Sequence, residues 1–329
     1  MRLTDLEREE LHQNYLHLTL PDTPQSDHDG FVSQAAKWVT ENAPSRICEE
    51  IVRWKSDPHG SGVLVIDNLG VDSNLPQTPV DGRPSPDKLT NYSEVLLTGI
   101  GMMLGEVFCF EAERDGMMVQ DLTPVRGKES SLTNEGTNLL GWHTEHSATG
   151  YVLPGSPSVI SYLAFIGLRS DPTGRAKTLV ADIRDAARLI SSAHMAELRS
   201  DQFLVRPPLM VRARISPPNH QVSGVPIITG PDSSPEIRVA LYGDMVEGLT
   251  DDAKQALAAL QRALDRVHRG FETQPGRLML VDNRVALHAR APYQPKYDGR
   301  DRWLQRLLVT DSLWPFRSWQ QNANRVLTP

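Results

Sequence analysis

Gly276-Arg277-Leu278-Met279-Leu280-Val281-Asp282-Asn283-Arg284-Val285-Ala286-Leu287-His288-Ala289-Arg290 reads as a strand, a turn and a returning segment. The apolar run Leu278 to Asp282 ends in Asp-Asn, a turn signal, and His288 follows on the way back. Further strand signals lie at Val63 to Ile66, Met117 to Leu122, Val159 to Phe165, Thr178 to Ala181, Ile237 to Tyr242 and Trp303 to Val309. Helical patterns near Ile183–Leu198 and Asp251–Arg269 interrupt them. Strands of irregular spacing with long connections predict a mainly β fold, a sandwich or jelly roll with flanking helices, rather than a parallel βαβ sheet.

Helices come first in the chain. Thr4 with Glu7 forms a capping box that opens a helix carrying Leu6, Leu11, Tyr15 and Leu16. A second helical stretch runs from Phe31 to Trp54 with Pro44 interrupting it, and a third from Tyr92 to Val107. Residues Gly70 to Asp87 are rich in Pro, Asp, Ser and Gly and predict a surface loop. The expected organisation is one domain over 1–329. Residues 1–60 form a helical layer on a jelly-roll core that spans 61–329 with helical insertions.

Composition excludes several classes. A net charge of −7 without a basic tail argues against nucleic acid and anionic membranes. Cys48 and Cys109 are too few for a disulfide framework. The N-terminus does not look like a signal peptide, and no apolar run approaches the ~20 residues of a membrane span. The expectation is a soluble, reduced, cytoplasmic protein of unassigned oligomeric state.

Gly141-Trp142-His143-Thr144-Glu145-His146 carries the chemistry. In an extended run, residues two apart share a face, so His143 and Glu145 point one way and Thr144 and His146 the other. An imidazole and a carboxylate side by side are two thirds of a 2-His-1-carboxylate triad, which holds Fe(II) and leaves positions open. Ten His and 41 Asp+Glu in 329 residues give roughly one His-x-acid by chance, so the neighbourhood must decide. If Arg302 to Val309 is a strand, Arg302, Leu304, Arg306 and Leu308 share one face. Two arginines among leucines are costly unless each meets an anion, either an internal carboxylate or one from a small molecule.

Three blocks together resemble the clavaminate synthase-like branch of Fe(II)/2-oxoglutarate oxygenases, which includes arginine and asparagine β-hydroxylases of peptide-antibiotic pathways. They are Trp142-His143-Thr144-Glu145, Lys177-Thr178-Leu179-Val180-Ala181, and Val281-Asp282-Asn283 through His288-Ala289-Arg290 to Tyr297-Asp298-Gly299-Arg300-Asp301-Arg302-Trp303-Leu304. The similarity covers most of the chain, from about Val63 to Leu308. It implies a double-stranded β-helix (cupin-like) core and iron held by His143, Glu145 and His288. Arg302 and Thr178 would then meet the far carboxylate of 2-oxoglutarate, and Arg306 the α-carboxylate of an amino-acid substrate. Gln120 falls where the family contacts the substrate's amine, with Asp121 as the alternative should Gln120 face out. Asp244 falls near an acidic contact of members acting on cationic side chains, and equally suits a turn or cap.

The resemblance implies hydroxylation of a free amino acid in secondary metabolism with Fe(II), 2-oxoglutarate and O2, with lysine, arginine or a derivative preferred because of Asp244. Related halogenases lack the carboxylate, so Glu145 argues for hydroxylation. Desaturation and oxidative cyclisation begin with the same hydrogen abstraction and stay open. A non-catalytic anion-binding barrel is the alternative from another class. His12, His17, His28, His59, His194, His220 and His268 are read as packed or surface histidines, Trp142 as core, and His146 as structural or lining a lid.

Overall fold

The computed structural model describes residues 1–20, 27–133, 135–148, 159–207, 221–320 and 325–328. His220 lies outside them. The strand Leu278–Asp282 sits within the larger sheet, antiparallel to Val63–Ile66 on one side and to Tyr162–Arg169 on the other. Tyr162–Arg169 pairs in turn with Trp303–Thr310, which pairs with Glu106–Phe110 and, near its start, with Gln120–Leu122. Val326–Leu327 extends this edge in parallel.

The returning segment does not zip back onto the strand before it. Ala286–Arg290 crosses to a second sheet, between Lys177–Asp182 and Leu140–His143, with Arg269–Glu272 outside. The Asp282-Asn283 turn therefore joins two sheets.

Alternation explains the unbroken apolar run. Met279 and Val281 face a core that includes Val180 and Ala286 of the smaller sheet. Leu280 faces the other way, into a core shared with Phe31, Val39, Leu96 and Ile100 of the helices. Those helices are His28–Asn42 and Tyr92–Leu104, joined by Asp5–Tyr15 and Ser45–Ser56. They cover the larger sheet as a layer. The helix pair approaches closely at Gly99, where a Cβ would stand 2.5 Å from the Ala35 carbonyl oxygen. Asp251–Val267 buries Ala256, Leu260 and Leu264 in a further core with Leu287 and Ala289.

Several boundaries differ from expectation. The helix from Tyr92 stops at Leu104, and Val107 belongs to the strand Glu106–Phe110, buried against Trp303–Thr310. Ile183–Leu198 is two short helices, Ile183–Ala187 and Ser192–Leu198. Only Gln120–Leu122 of the expected Met117 to Leu122 strand forms, because Met117 closes a turn onto Arg114. Of Ile237 to Tyr242, Ile237 pairs within Glu236–Ile237 and Ala240 makes a lone bridge to His143. No helix among the described residues is long and apolar enough to cross a membrane.

Candidate active site

His143 ends the strand Leu140–His143 and lies directly opposite His288 of Ala286–Arg290. The two rings are 4.0 Å apart, centre to centre. Glu145 follows just past the strand end, with Oε2 3.5 Å from His288 Nε2. One ligand atom from each of His143, Glu145 and His288 falls within 4.8 Å of the others. Thr144 turns to the opposite side, where its hydroxyl meets the Val239 backbone. Asn283 fixes the turn: its Oδ1 accepts from the Glu145 N–H at 2.8 Å, and its Nδ2 donates to the carbonyls of Glu145 and Ile160.

The protonation states suit a metal. Burial, then the nearby His288, pushes the His143 imidazole down to about 3. Its Nδ1 lies 2.8 Å from the Gly141 carbonyl, and a proton there leaves Nε2 as the ligand atom. Burial opposes ionisation of Glu145, but Arg306 and His288 outweigh it and hold the carboxyl well below its usual range. His288 Nδ1 is buried without a hydrogen-bond partner. Two imidazoles with an ionised carboxylate are the donor set that borderline divalent iron takes. The residues fit the metal.

The cluster opens on a pocket whose lining includes Thr178, Arg302, Arg306 and Gln120. Arg306 is buried and bridges two carboxylates, Glu145 at 2.7 Å and Glu113 at 2.8 Å, and also donates to Gln120 Oε1 at 2.6 Å. Its Nε is buried without a partner. Arg302 is also buried, donates from Nε to Thr273 Oγ1 at 3.0 Å, and has no ion-pair partner among the described residues. Among the described residues, an internal salt bridge thus exists for Arg306 and not for Arg302.

Two placements, those of Asp244 and His146, differ from the sequence expectation, and the Gln120 reading is kept over its Asp121 alternative. Asp244 is exposed and does not line the pocket, whereas Tyr242, two residues earlier, does and sets its ring edge-on to His143. Asp121 faces away from the pocket, buried and accepting from Trp303 and Gln305, so Gln120 is the inward residue. His146 does not continue the strand alternation, because the strand ends at His143 and His146 has φ 51°. Its Nε2 lies 2.6 Å from Glu113. Trp142 is core, with Nε1 donating to Asp265.

Glu113, Tyr242, Arg114, Glu135 and Arg290 also line the pocket and carry no sequence signal of their own. Glu113 is buried. Burial would raise its carboxyl, yet His146 and Arg306 hold it below the usual range. Arg114 and Glu135 pair at 3.3 Å, with Lys128 on the other oxygen of Glu135.

Residues 39–308 match the taurine catabolism dioxygenase TauD, TfdA family. The chain is 34% identical to L-asparagine oxygenase of Streptomyces coelicolor, over 89% of this chain and 86% of that protein. It is 28% identical to clavaminate synthase 2 of Streptomyces clavuligerus, over 88% and 86%. A solved structure of asparagine oxygenase in complex with Fe(II), (2S,3S)-3-hydroxyasparagine and succinate aligns with a TM-score of 0.88 and 29% identity. That alignment covers 99% of this chain and 98% of the other. With a family match over most of its length, the chain belongs to the TauD/TfdA family of dioxygenases.

Proposed function

We propose that this chain is an Fe(II)/2-oxoglutarate-dependent hydroxylase of a free amino acid. Arg302 carries the proposal. A buried guanidinium with a threonine hydroxyl but no carboxylate partner among the described residues shares a pocket with the His143, Glu145 and His288 cluster. A buried cation that no protein anion neutralises is costly, and the far carboxylate of 2-oxoglutarate would offset that cost. Thr178 would add a hydroxyl beside it. His143, Glu145 and His288 would hold the iron. When bound, Fe(II) with 2-oxoglutarate and O2 supplies the oxidant that converts a C–H bond to C–OH.

The chain's own residues place the substrate. The unpartnered Nε of Arg306 is a donor for the α-carboxylate, and Glu113 with Gln120 supplies acceptors for the α-ammonium. Phe165, Leu304, Leu140 and Ala289 give the same pocket apolar walls that exclude water near the metal ligands. Holding one carbon in place is the larger part of such catalysis.

The expected side chain is uncharged and hydrogen-bonding, such as a carboxamide. Asp244, which would favour a cation, lies outside the pocket lining, and the Arg114–Glu135 pair is already balanced in charge. Similarity to asparagine oxygenase supports the same class, and similarity to clavaminate synthase supports a place in secondary metabolism. Two sheets facing across a shared core support a double-stranded β-helix, with 1–329 as one oxygenase domain.

The test is a panel of free amino acids incubated with enzyme, Fe(II), 2-oxoglutarate and O2, with succinate and hydroxylated product quantified together. Equal amounts of both are expected, greatest for a carboxamide. Succinate that no amino acid stimulates would sink the proposal, and a response confined to lysine and arginine would restore the cationic class.

A further inference from the structure

His146 follows the proposed ligand pair with a backbone in the left-handed region, φ 51°. Non-glycine residues hold that conformation at a cost, and it persists where the surroundings fix it. Here the turn brings a buried imidazole back to the rear of Glu113. Its ring stacks on Phe110 at 4.3 Å with 17° between planes, and Nε2 lies 2.6 Å from Glu113 Oε1. Phe110 and Glu113 belong to one turn, closed by the Glu113 N–H donating to the Phe110 carbonyl. The imidazole therefore grips that turn twice, by a face and by an edge.

The two oxygens of Glu113 consequently have different tasks. Oε1 is held by His146, while Oε2 accepts from Arg306 at 2.8 Å and from Gln120 at 3.3 Å. Without a partner at Oε1, a carboxylate on three rotatable bonds beside a buried arginine would swing both oxygens toward the guanidinium, whose planar fork favours two-point contact.

We infer that His146 is a positioning residue that stops this collapse and keeps Glu113 available to the α-ammonium of the substrate. The segment that supplies the metal carboxylate thereby also sets the amine site. The inference rests on the proposed amino-acid substrate and adds to it a residue whose action runs entirely through Glu113.

The test is calorimetric binding of L-asparagine to Fe(II)- and 2-oxoglutarate-loaded enzyme without oxygen, compared with succinamate, its analogue lacking the amine. His146→Phe keeps an aromatic ring on Phe110 and removes the donor. It should weaken L-asparagine by about tenfold or more, the range for a lost hydrogen bond to a charged group, and leave succinamate within twofold. His146→Gln, which restores an N–H at similar reach, should recover most of the loss. In a Glu113→Gln background the His146→Phe change should have little further effect.

Equal weakening of both ligands would mean that His146 is merely structural. Full additivity with Glu113→Gln, or loss of the iron–2-oxoglutarate visible absorption in His146→Phe, would also overturn the inference. Wild-type enzyme that binds L-asparagine yet never forms succinate with it would refute hydroxylation while leaving the binding comparison decisive. Wild-type enzyme that binds L-asparagine no better than succinamate would refute the amine site itself.

Discussion

Replacing Arg306 by methionine tests the charge arrangement at the centre of the site. The guanidinium pairs with Glu145 and Glu113 at once, with all three side chains largely buried. Methionine fills similar space but strands two carboxylates and the Gln120 carbonyl oxygen. Breaking a buried ion pair costs about 3–5 kcal/mol. His146 and His288 still face the two carboxylates, so about 4 kcal/mol is expected in total. An unfolding entropy of about 2.1 cal/mol/K per residue over 329 residues gives about 0.7 kcal/mol/K, hence a Tm lower by about 6 °C. The pH dependence has a definite sign. Both carboxyls are depressed in the folded protein, so their contribution is present above the ordinary value of 4.5 and lost as pH falls below it. The gap between Arg306→Met and the parent should therefore be widest at neutral pH and close in acid. Anaerobic Fe(II) should narrow the gap at neutral pH, because the metal supplies Glu145 with the positive charge the variant lacks. Differential scanning calorimetry reads all three effects. A variant melting within about 1 °C of the parent at pH 7, or a gap that Fe(II) widens, would refute the charge reasoning.

Arg302→Lys should raise the Kd for 2-oxoglutarate by about tenfold or more through loss of the two-point fork, leaving amino-acid affinity within twofold. A change confined to the amino acid, in an absorbance titration, would place Arg302 at the other ligand. Burial pushes the Asp121 carboxyl up to about 6, with Glu94 adding to the rise, so the contribution of Asp121 to stability falls as pH increases from about 4 through 6. Asp121→Asn should remove that contribution, so that the variant gains on the parent as pH rises and by at most about 3 kcal/mol at pH 7, and parallel melting profiles for the two proteins would contradict it. Asp244→Ala, at an exposed position, should leave kcat/KM on a neutral amino acid within twofold. A selective loss on lysine or arginine would bring Asp244 back to the substrate.

The legible parts of the site are those governed by strand parity. His143 with Glu145, and Arg302 with Arg306, share faces because side chains alternate in extended chain, and each pair lines one pocket. Parity stopped being informative one residue later, where the left-handed backbone at His146 reverses the ring. Glu113 was illegible for a related reason. It hangs from the turn after Glu106–Phe110, and that apolar segment follows a helix so closely that it reads as the helix's tail. The Asp282-Asn283 turn was visible, but not that Ala286–Arg290 leaves for another sheet, because partner choice depends on residues more than a hundred positions away. The choice of Asp244 over Tyr242 shows the same limit at loop scale, since neither carries a periodicity that says which one faces inward.

The clamp of Asn283 on the Glu145 backbone has a kinetic consequence. These residues are 138 positions apart, and Asn283 also holds the Ile160 carbonyl, 123 positions away. Contacts of such separation form only after long loops have closed, so they belong to the late part of folding. The proposed carboxylate ligand is thus delivered by the same closure that brings His288 opposite His143. A partly folded chain, even one with its helical layer in place, would have no affinity for iron beyond that of scattered histidines. Uptake of the metal at the proposed site would therefore mark the moment at which the two sheets have joined.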